Sequence, residues 1–273
     1  MTGPPEFEGF ADIDRTGRTD VYAAYLDQVR GLEAVADWKE RSFAALAPRP
    51  GAVLLDVGCG TGEDVLALAR HVAPGGRAIG VDASEAMVAE ARRRAAEAGE
   101  AAVEFLRSDV RSLALPADAV DGCRAERVLQ HVEDPAEAIG EMARVVRPGG
   151  MVVAAEPDWG TLVIDSGDPA TAAEVAAAAG RRLRSGLVGR SLRRLFLDAA
   201  LSDVAVAART LVVTDRVRAE MLFDLPGAAR QAVDDGRLAA DRAASWLDGI
   251  AAAEAEGRLL VAMTAFMAVG RAA

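Results

Sequence analysis

The sequence predicts an α/β fold in which a mostly parallel β-sheet carries helices on both faces. Short apolar runs alternate with helical stretches between residues 48 and 157 and are joined by short turns. Parallel strands connected by crossover helices produce this alternation. The runs "VLL" and "MVVAA" are apolar at consecutive positions, as expected for strands that are buried on both faces.

The composition fits one large α/β domain or one domain with a lid. The chain has 273 residues, of which 51% are hydrophobic, so it can bury a sizeable core. Its net charge is −11 and it has no basic stripe, so we expect no nucleic-acid partner. No apolar run approaches the ~18 residues that indicate a membrane span.

The few cysteines and histidines argue against disulfide and metal chemistry. Two cysteines and two scattered histidines provide neither a disulfide framework nor a zinc site, so we expect no bound metal. The N-terminus is acidic and lacks the pattern of a signal peptide. We therefore expect a cytoplasmic protein; a homodimer is left open.

Residues 1–47 are predicted to be a loose arm of about a dozen residues, followed by a helix that serves as a lid segment. Apolar side chains recur every three to four positions from Tyr22 to Leu46, which is typical of a helix, and "APRPG" (47–51) ends it. Aromatic side chains on such a helix usually pack against the sheet. The sharper hypothesis is that Tyr22 or Tyr25 closes over the bound ligands.

Residues 48–214 are predicted to form the core, residues 215–257 a mostly helical insertion that completes the lid, and residues 258–273 the last strand. The core strands are predicted at 52–57, 77–82, 102–109, 119–128, 151–157 and 203–214. Helices are predicted after the first, second, fourth and fifth of these strands. The longest helical stretch, at about 169–200, includes an arginine-rich segment (181–194) that is either a solvated helix face or a patch for an anionic substrate.

The stretch "DVGCGTGED" (56–64) follows the first core strand. Its glycines give G-x-G-x-G, and Glu63 stands where a dinucleotide-binding turn has its third glycine. The glycines allow a ligand to approach the backbone closely. Glu63 and Asp64 suit the positive end of the following helix, but they occupy the position that a pyrophosphate would use. The turn therefore favours a cationic ligand without phosphate.

Aspartates follow three strands of the predicted sheet. Asp56 ends the first strand and favours an ammonium or sulfonium group. Asp82 ends the second, 20 residues after Gly62, which is a spacing suited to a carboxylate that accepts hydrogen bonds from ribose. Asp109 ends the third, where it could meet an adenine amino group. A ligand with ribose, adenine and positive charge but no phosphate matches S-adenosylmethionine.

Five successive stretches resemble the motifs of class I S-adenosylmethionine-dependent methyltransferases, in order, over about residues 48 to 157. They are "VLLDVGCGTG", "GVDASEAMV", "FLRSDVRSLALP", "RVLQHVEDPAEAIGEMARVVRPGG" and "MVVAAEP". The nearest type is the ubiquinone/menaquinone-biosynthesis C-methyltransferase group. The resemblance implies a Rossmann-like, seven-stranded sheet whose last strand is antiparallel.

The resemblance also implies a cofactor site. Asp56, Gly58, Gly60 and Gly62 would line the methionine moiety, Asp82 would hold the ribose, Ala83 and Met87 would flank the adenine, Asp109 and Val110 would meet its edge, and Glu126 and Arg127 would border the sulfonium. Two positions have plain alternatives: Met87 as ordinary core and Arg127 as an ion-pair partner of an acid. Arg124, in a strand that should be apolar, has no explanation from the sequence.

The acceptor side is predicted at the ends of the fourth and fifth strands. His131, Glu156 and Asp158 are the candidate catalytic bases. His131 could instead orient its loop, and the two acids could instead shape a polar loop. Gln130 and Trp159, together with Tyr22 and Tyr25, are the candidate acceptor contacts.

These features predict methyl transfer to an O or C atom of a small, partly hydrophobic acceptor. The metal-dependent catechol type is disfavoured because Lys39, the only lysine, precedes the glycine turn. A cyclase or isomerase that uses the same cofactor without methyl transfer stays open. A nicotinamide-dependent oxidoreductase is disfavoured by the acids at the turn.

Overall fold

The computed structural model describes residues 7–273, and its centre is an eight-stranded β-sheet. The strands are β1 (Val53–Val57), β2 (Arg77–Asp82), β3 (Val103–Arg107), β4 (Val120–Glu126), β5 (Val146–Pro157), β6 (Val163–Asp165), β7 (Ser202–Val213) and β8 (Leu260–Arg271). Their order is β3-β2-β1-β4-β5-β8-β6, with β7 also paired to β8. The first five strands are parallel, and β8 is antiparallel to β5, β6 and β7.

Eleven α-helices are assigned among residues 7–273. They are α1 (Ile13–Thr16), α2 (Thr19–Arg30), α3 (Glu33–Ala45), α4 (Glu63–His71), α5 (Glu85–Ala98), α6 (Pro135–Val145), α7 (Pro169–Arg181), α8 (Val188–Asp198), α9 (Arg216–Phe223), α10 (Leu225–Asp234) and α11 (Ala240–Ala255). None of these helices is long and apolar enough to cross a membrane. The mixed α/β class with a mostly parallel sheet is confirmed.

Helices pack on both faces of the sheet because successive strand residues point to opposite sides. On one face, Leu55 and Val57 pack with Ile139 of α6 and Phe196 of α8. On the other, Leu54 packs against the apolar sides of α3, α4 and α5. A third core lies under the insertion, where α7, α9, α10 and α11 surround Trp159 and Phe223.

Short polar residues fix where the core helices begin. Ser84 accepts a hydrogen bond from the amide of Met87 at 3.1 Å and caps α5. Asp134 accepts from the amides of Ala136 and Glu137 and caps α6, whose first residue is Pro135. These caps place the N-termini of α5 and α6 at the carboxyl edge of the sheet, where the loops after β2 and β4 lie.

Four element boundaries differ from those predicted. The predicted helix from Tyr22 to Leu46 is two helices that separate at Gly31 and Leu32. The predicted helical stretch at 169–200 is also two, α7 and α8. Strand β5 begins at Val146 rather than at residue 151, and β6 is an additional three-residue strand that makes the sheet eight-stranded.

The predicted loose arm lies partly outside the described residues, since residues 1–6 are not among them. Its described part, Phe7–Asp12, is a 3-10 helix with Phe7 buried. Phe7 packs on Tyr25 and Trp159, with ring centroids 6.0 and 5.6 Å apart. Aromatic packing therefore holds this part of the segment against α2 and the core.

Candidate functional site

A cavity of about 380 Å³ lies at the carboxyl ends of β1, β2 and β4. Parallel strands place their carboxyl ends at one edge of the sheet, which is where ligands bind in open α/β folds. The N-terminal segment, α2, α3 and the insertion border the cavity on its other sides. The space is thus enclosed between the core and both predicted lid segments.

The glycine turn contributes backbone to the cavity. Gly58 and Gly60 border it and have φ values of 64° and 51°, which side chains with a Cβ rarely adopt. Gly62 has a φ of 82° and faces away: a methyl group there would lie 2.8 Å from Ala91 and from the Phe105 ring. Gly58 and Gly60 therefore present bare backbone to the cavity. A methyl group at Gly58 would clash with Val128, so Gly58 also allows the loop after β4 to pack, as Gly62 allows α4 to pack on α5 and β3.

Asp82 is fixed at the end of β2 by the glycine turn. Its carboxylate accepts from the Gly60 amide at 2.9 Å and from the Ser84 amide at 2.9 Å. Burial raises the pKa of Asp82, while these amide hydrogen bonds oppose the shift. Each oxygen keeps a further lone pair for a ligand hydroxyl. Ala83 borders the cavity beside it.

The predicted adenine contacts divide into two groups. Asp109 and Val110 border the cavity. Asp109 accepts from the backbone amide and the guanidinium of Arg111, and the guanidinium bond lowers the pKa of that carboxyl. Met87 is fully buried against Ile13 and Tyr22 and does not border the cavity. We therefore give Met87 the alternative interpretation, a core residue under the N-terminal segment.

Arg124 lies at the centre of a buried group of charges that also border the cavity. It donates to Asp56 at 2.5 Å, to Ser42 Oγ at 2.7 Å and to Asp64 at 3.2 Å. It also donates to Glu126 and stacks on the Phe43 ring, 4.8 Å from its centroid. This explains an arginine inside an otherwise apolar strand: its charge is matched by carboxylates from three elements.

Lys39 of α3 joins this group by donating to Asp64 and, at 3.3 Å, to Glu126. We call Asp56, Asp64, Glu126, Lys39 and Arg124 the ion cluster. All five border the cavity. With every member ionised, three carboxylates face two cations and one negative charge is left over. A ligand with a positive charge would balance it.

Burial and the two cations act on the carboxylates of the ion cluster in opposite directions. Burial raises the pKa of Asp56 to about 6, although Arg124 opposes the shift. Burial also acts on Asp64, but Arg124 and Lys39 outweigh it and hold the pKa of that carboxyl well below its usual range. Asp56 is therefore the carboxylate whose charge a cationic ligand would stabilise most.

Six Phe, Tyr and Trp side chains of the described residues border the cavity. They are Trp38, which precedes Lys39, and a packed group of five, Phe7, Phe10, Tyr25, Trp159 and Phe223. Trp159 Nε1 donates to Gln130 Oε1 at 2.8 Å, which fixes the Gln130 amide. The rings of Phe10 and His131 lie 5.4 Å apart. Tyr22 is buried, packs edge-on against Phe10 at 4.7 Å and does not border the cavity.

His131 borders the cavity between two arginines. Burial, followed by the charges of Arg127 and Arg184, lowers the pKa of His131 to about 3. The imidazole is therefore neutral near pH 7. It is also a weak base, because general bases work best when their pKa lies near the operating pH.

Glu156 and Asp158 do not border the cavity. Glu156 is fully buried and accepts from the amides of Val128 and Leu129, both at 2.8 Å, and burial raises its pKa to about 7. Asp158 is fully buried and binds Arg190 through backbone and side-chain nitrogens at 2.6 to 2.8 Å. Both carboxylates hold loops in place, so we do not assign them to catalysis.

Sequence reasoning missed the residues that join the N-terminal segment and α3 to the core. Lys39 reaches the ion cluster from α3, and Asp14 accepts from Ser84 Oγ at 2.5 Å and from the Glu85 amide at 2.9 Å. One signal for Lys39 was present, since it is the only lysine of the chain. Nothing in the local sequence distinguishes Asp14 from other exposed acids.

Comparison with known proteins identifies the family. Residues 55–154 match a methyltransferase domain. The chain is 40% identical over 254 residues to an uncharacterized 37.1 kDa protein in transposon TN4556 of Streptomyces fradiae, covering 91% of this chain and 71% of that protein. It is 32% identical over 139 residues to demethylmenaquinone methyltransferase of Staphylococcus aureus, covering 51% of this chain and 57% of that enzyme.

A solved structure agrees with the fold. The phosphoethanolamine N-methyltransferase 2 of Haemonchus contortus, in complex with S-adenosyl-L-methionine, superimposes with a TM-score of 0.65 at 18% identity, covering 97% of this chain and 60% of that one. The matches confirm the resemblance seen in the sequence and its cofactor, S-adenosylmethionine. The chain belongs to the class I S-adenosylmethionine-dependent methyltransferases.

Proposed function

We propose that this protein transfers a methyl group from S-adenosylmethionine to an O or C atom of a small, partly hydrophobic acceptor. The observation that carries the proposal is a group of five mutually packed aromatic side chains, Phe7, Phe10, Tyr25, Trp159 and Phe223, which border the same cavity as the ion cluster. Such a group suits an apolar or aromatic acceptor body. The cavity volume of about 380 Å³ suits small molecules.

The cofactor would occupy the part of the cavity that the glycine turn, Asp82 and the ion cluster border. Gly58 and Gly60 would face the methionine moiety, Asp82 the ribose, and Asp109 and Val110 the adenine. The surplus negative charge of the ion cluster would face the sulfonium and ammonium groups. When bound, S-adenosylmethionine supplies an electrophilic methyl group on a good leaving group.

The chain's own contribution is alignment and the exclusion of water. Arg182 donates to Glu8 at 2.5 and 3.1 Å, and its Nη1 lies 2.7 Å from Asp224 Oδ2. This bridge joins the N-terminal segment to the insertion, while Asp14 ties the same segment to α5. The two lid segments are thereby held together over the reacting groups.

Proton removal is not assigned to a strong base. His131 stays neutral but binds a proton weakly, because burial and the charges of Arg127 and Arg184 oppose its positive charge. A carbon or oxygen nucleophile that is acidic enough to ionise readily suits this environment. An ordinary aliphatic alcohol suits it poorly, since its proton would need a base of higher pKa.

The proposal is tested by incubating the protein with S-adenosylmethionine and a panel of phenols, enols and aliphatic alcohols. We expect S-adenosylhomocysteine to accumulate with ionisable acceptors, together with a product heavier by one CH2 group. An acceptor that is rearranged without a change in mass, and without release of S-adenosylhomocysteine, would instead identify a cyclase or isomerase.

A further inference from the structure

Two of the cationic side chains that border the cavity make no side-chain hydrogen bond with residues 7–273. Seven cations border it: Arg30, Lys39, Arg111, Arg124, Arg127, Arg184 and Arg209. Five of them donate to carboxylates. The exceptions are Arg127 and Arg184, which both lie close enough to His131 to lower the pKa of its imidazole.

The side chain of Arg127 is partly buried without a hydrogen-bond acceptor for its Nε within residues 7–273, which is unfavourable in free energy. Its Nε is buried without a hydrogen-bond partner, and the nearest carboxylate oxygen among the described residues, Glu126 Oε1, is 3.7 Å away. Glu126 already accepts from Arg124 and Lys39 through its other oxygen. A buried donor without an acceptor is unfavourable.

The backbone at Arg127 is also constrained. Its φ is 55°, a conformation that non-glycine residues rarely adopt. The Arg127 amide donates to the Ala155 carbonyl at 2.9 Å, and the next amides donate to Glu156. This buried carboxylate therefore holds the loop in a shape that presents Arg127 to the cavity. Strain of this kind is concentrated at functional sites.

Arg184 is the second cation of this group and comes from the arginine-rich segment 181–194. Its Nη1 lies 3.4 Å from Glu133, an exposed carboxylate that also faces Arg111 at 3.7 Å. A single solvated carboxylate shared between two arginines compensates them weakly. Arg127 and Arg184 are therefore cations at the cavity that the neighbouring carboxylates compensate only weakly, with Glu126 of the ion cluster 3.7 Å from Arg127 and Glu133 3.4 Å from Arg184.

We propose that Arg127, assisted by Arg184, binds an anionic oxygen of the acceptor, either a carboxylate or an ionised phenol or enol. A guanidinium presents paired donors that match a carboxylate. The five packed aromatic side chains that border the same cavity would hold the body of the acceptor. This rests on the proposed function, and it narrows the substrate class to aromatic or apolar acids and acidic phenols or enols.

The test uses a pair of probes that differ in charge and not in shape: 2-naphthoate and 2-naphthamide. Their affinities are measured by calorimetry on the full chain in the presence of S-adenosylhomocysteine. We expect naphthoate to bind at least ~10-fold more tightly than the amide, because hydrogen bonds to charged groups are the stronger ones. R127Q should abolish this preference, and R184Q should reduce it.

R209Q is the matched control, since Arg209 borders the cavity but donates to Asp37; it should keep the preference. Thermal unfolding of each variant checks that it is folded, and R184Q, at a more exposed side chain, provides a second reading if R127Q unfolds. Equal binding of the two probes by the native protein overturns the proposal. A failure to detect naphthoate at millimolar concentration does so as well.

The cofactor carries a carboxylate of its own, which is a second anion that Arg127 can meet. A second comparison therefore separates binding of the cofactor's carboxylate from binding of the acceptor's anionic oxygen. S-adenosylhomocysteine has the amino-acid group and 5′-methylthioadenosine lacks it. We expect R127Q to leave the affinity ratio of these two nucleosides unchanged. A selective loss of S-adenosylhomocysteine binding with an intact naphthoate preference overturns the proposal. Because both comparisons measure binding, a failure of methyl transfer would be seen separately in the acceptor panel.

Discussion

The guanidinium of Arg124 on β4 donates to the carboxylate of Asp56 on β1 at 2.5 Å, in the interior of the sheet. The two residues are direct partners in the parallel register of these strands. Each is almost fully buried, with 1% and 3% of its surface exposed. The pair therefore belongs to the sheet itself, and through Asp64, Glu126 and Lys39 it extends to the wall of the cavity.

Replacing Arg124 with methionine should destabilise the fold strongly. The change leaves Lys39 as the only described side chain that still donates to the buried carboxylates of the ion cluster, and loss of one member of a buried ion pair typically costs about 3–5 kcal/mol. Without Arg124 the pKa values of the carboxylates rise in the folded state. The free energy of unfolding of R124M should therefore come closer to that of the native protein as pH falls from 7.5 to 5.5. Urea unfolding of both proteins measures this.

R194M is the control for this substitution, because Arg194 is an exposed arginine that pairs with Asp198 on the surface. It should change the free energy of unfolding little. If R124M were as stable as R194M at pH 7.5, the ion cluster would not stabilise the fold.

Asp82→Asn should weaken cofactor binding. The amide keeps the size of the side chain but has one acceptor oxygen fewer and no charge, so it cannot serve both the Gly60 and Ser84 amides and a ribose. We expect the dissociation constant of S-adenosylhomocysteine to rise at least ~10-fold, equivalent to about 1.4 kcal/mol. Asp121→Asn is the control, because Asp121 lies at the N-terminal end of β4, away from the cavity; it should leave the affinity unchanged. If the two variants bound S-adenosylhomocysteine equally well, Asp82 would not belong to the ribose site.

His131 should make the fold less stable in acid. Its pKa is lowered to about 3 in the folded chain, against about 6.5 when unfolded. Between these values the unfolded chain binds one more proton, so the free energy of unfolding rises with pH by up to about 1.4 kcal/mol per unit. His131→Asn should flatten this dependence between pH 4.5 and 6 in urea unfolding. An identical slope in both proteins would contradict an imidazole that stays neutral in the folded chain.

Asp14→Ala should loosen the N-terminal segment. Asp14 accepts from Ser84 Oγ and from the amides of Glu85 and Ala86 at the start of α5, and removing such a cap costs about 1 kcal/mol. We expect faster hydrogen exchange over residues 7–30 by mass spectrometry. Asp20→Ala, near the start of α2, should leave exchange as it is. Equal protection in both variants would show that Asp14 does not fasten the segment.

Much of the fold, and the group of residues at the carboxyl edge of the sheet that border the cavity, could be predicted because both follow from local patterns. Apolar runs in alternation with helices require a parallel sheet, and parallel strands bring their carboxyl ends to one edge. Asp56, Asp82 and the glycine turn therefore had to lie together. In the structure, β1 lies between β2 and β4, so the loops after these three strands are neighbours.

The ion cluster and the roles of the buried acids depend on contacts that the sequence does not encode locally. Arg124 meets Asp56 through strand register, and Lys39 meets Asp64 through the docking of α3. Glu156 stands at a strand end, as a catalytic acid would, but the loop after β4 folds back and donates its amides to it. Only tertiary packing distinguishes such a carboxylate from one that faces a ligand.

The acids of the glycine turn and of the ion cluster should make the cavity select a cationic nucleoside without phosphate. Calorimetry of the full chain with S-adenosylmethionine, S-adenosylhomocysteine and NAD⁺ under identical conditions tests it most directly. We predict saturable binding of both S-adenosyl compounds and at least ~100-fold weaker binding of NAD⁺, a difference of about 2.7 kcal/mol. Binding of NAD⁺ as tight as that of S-adenosylmethionine would contradict it.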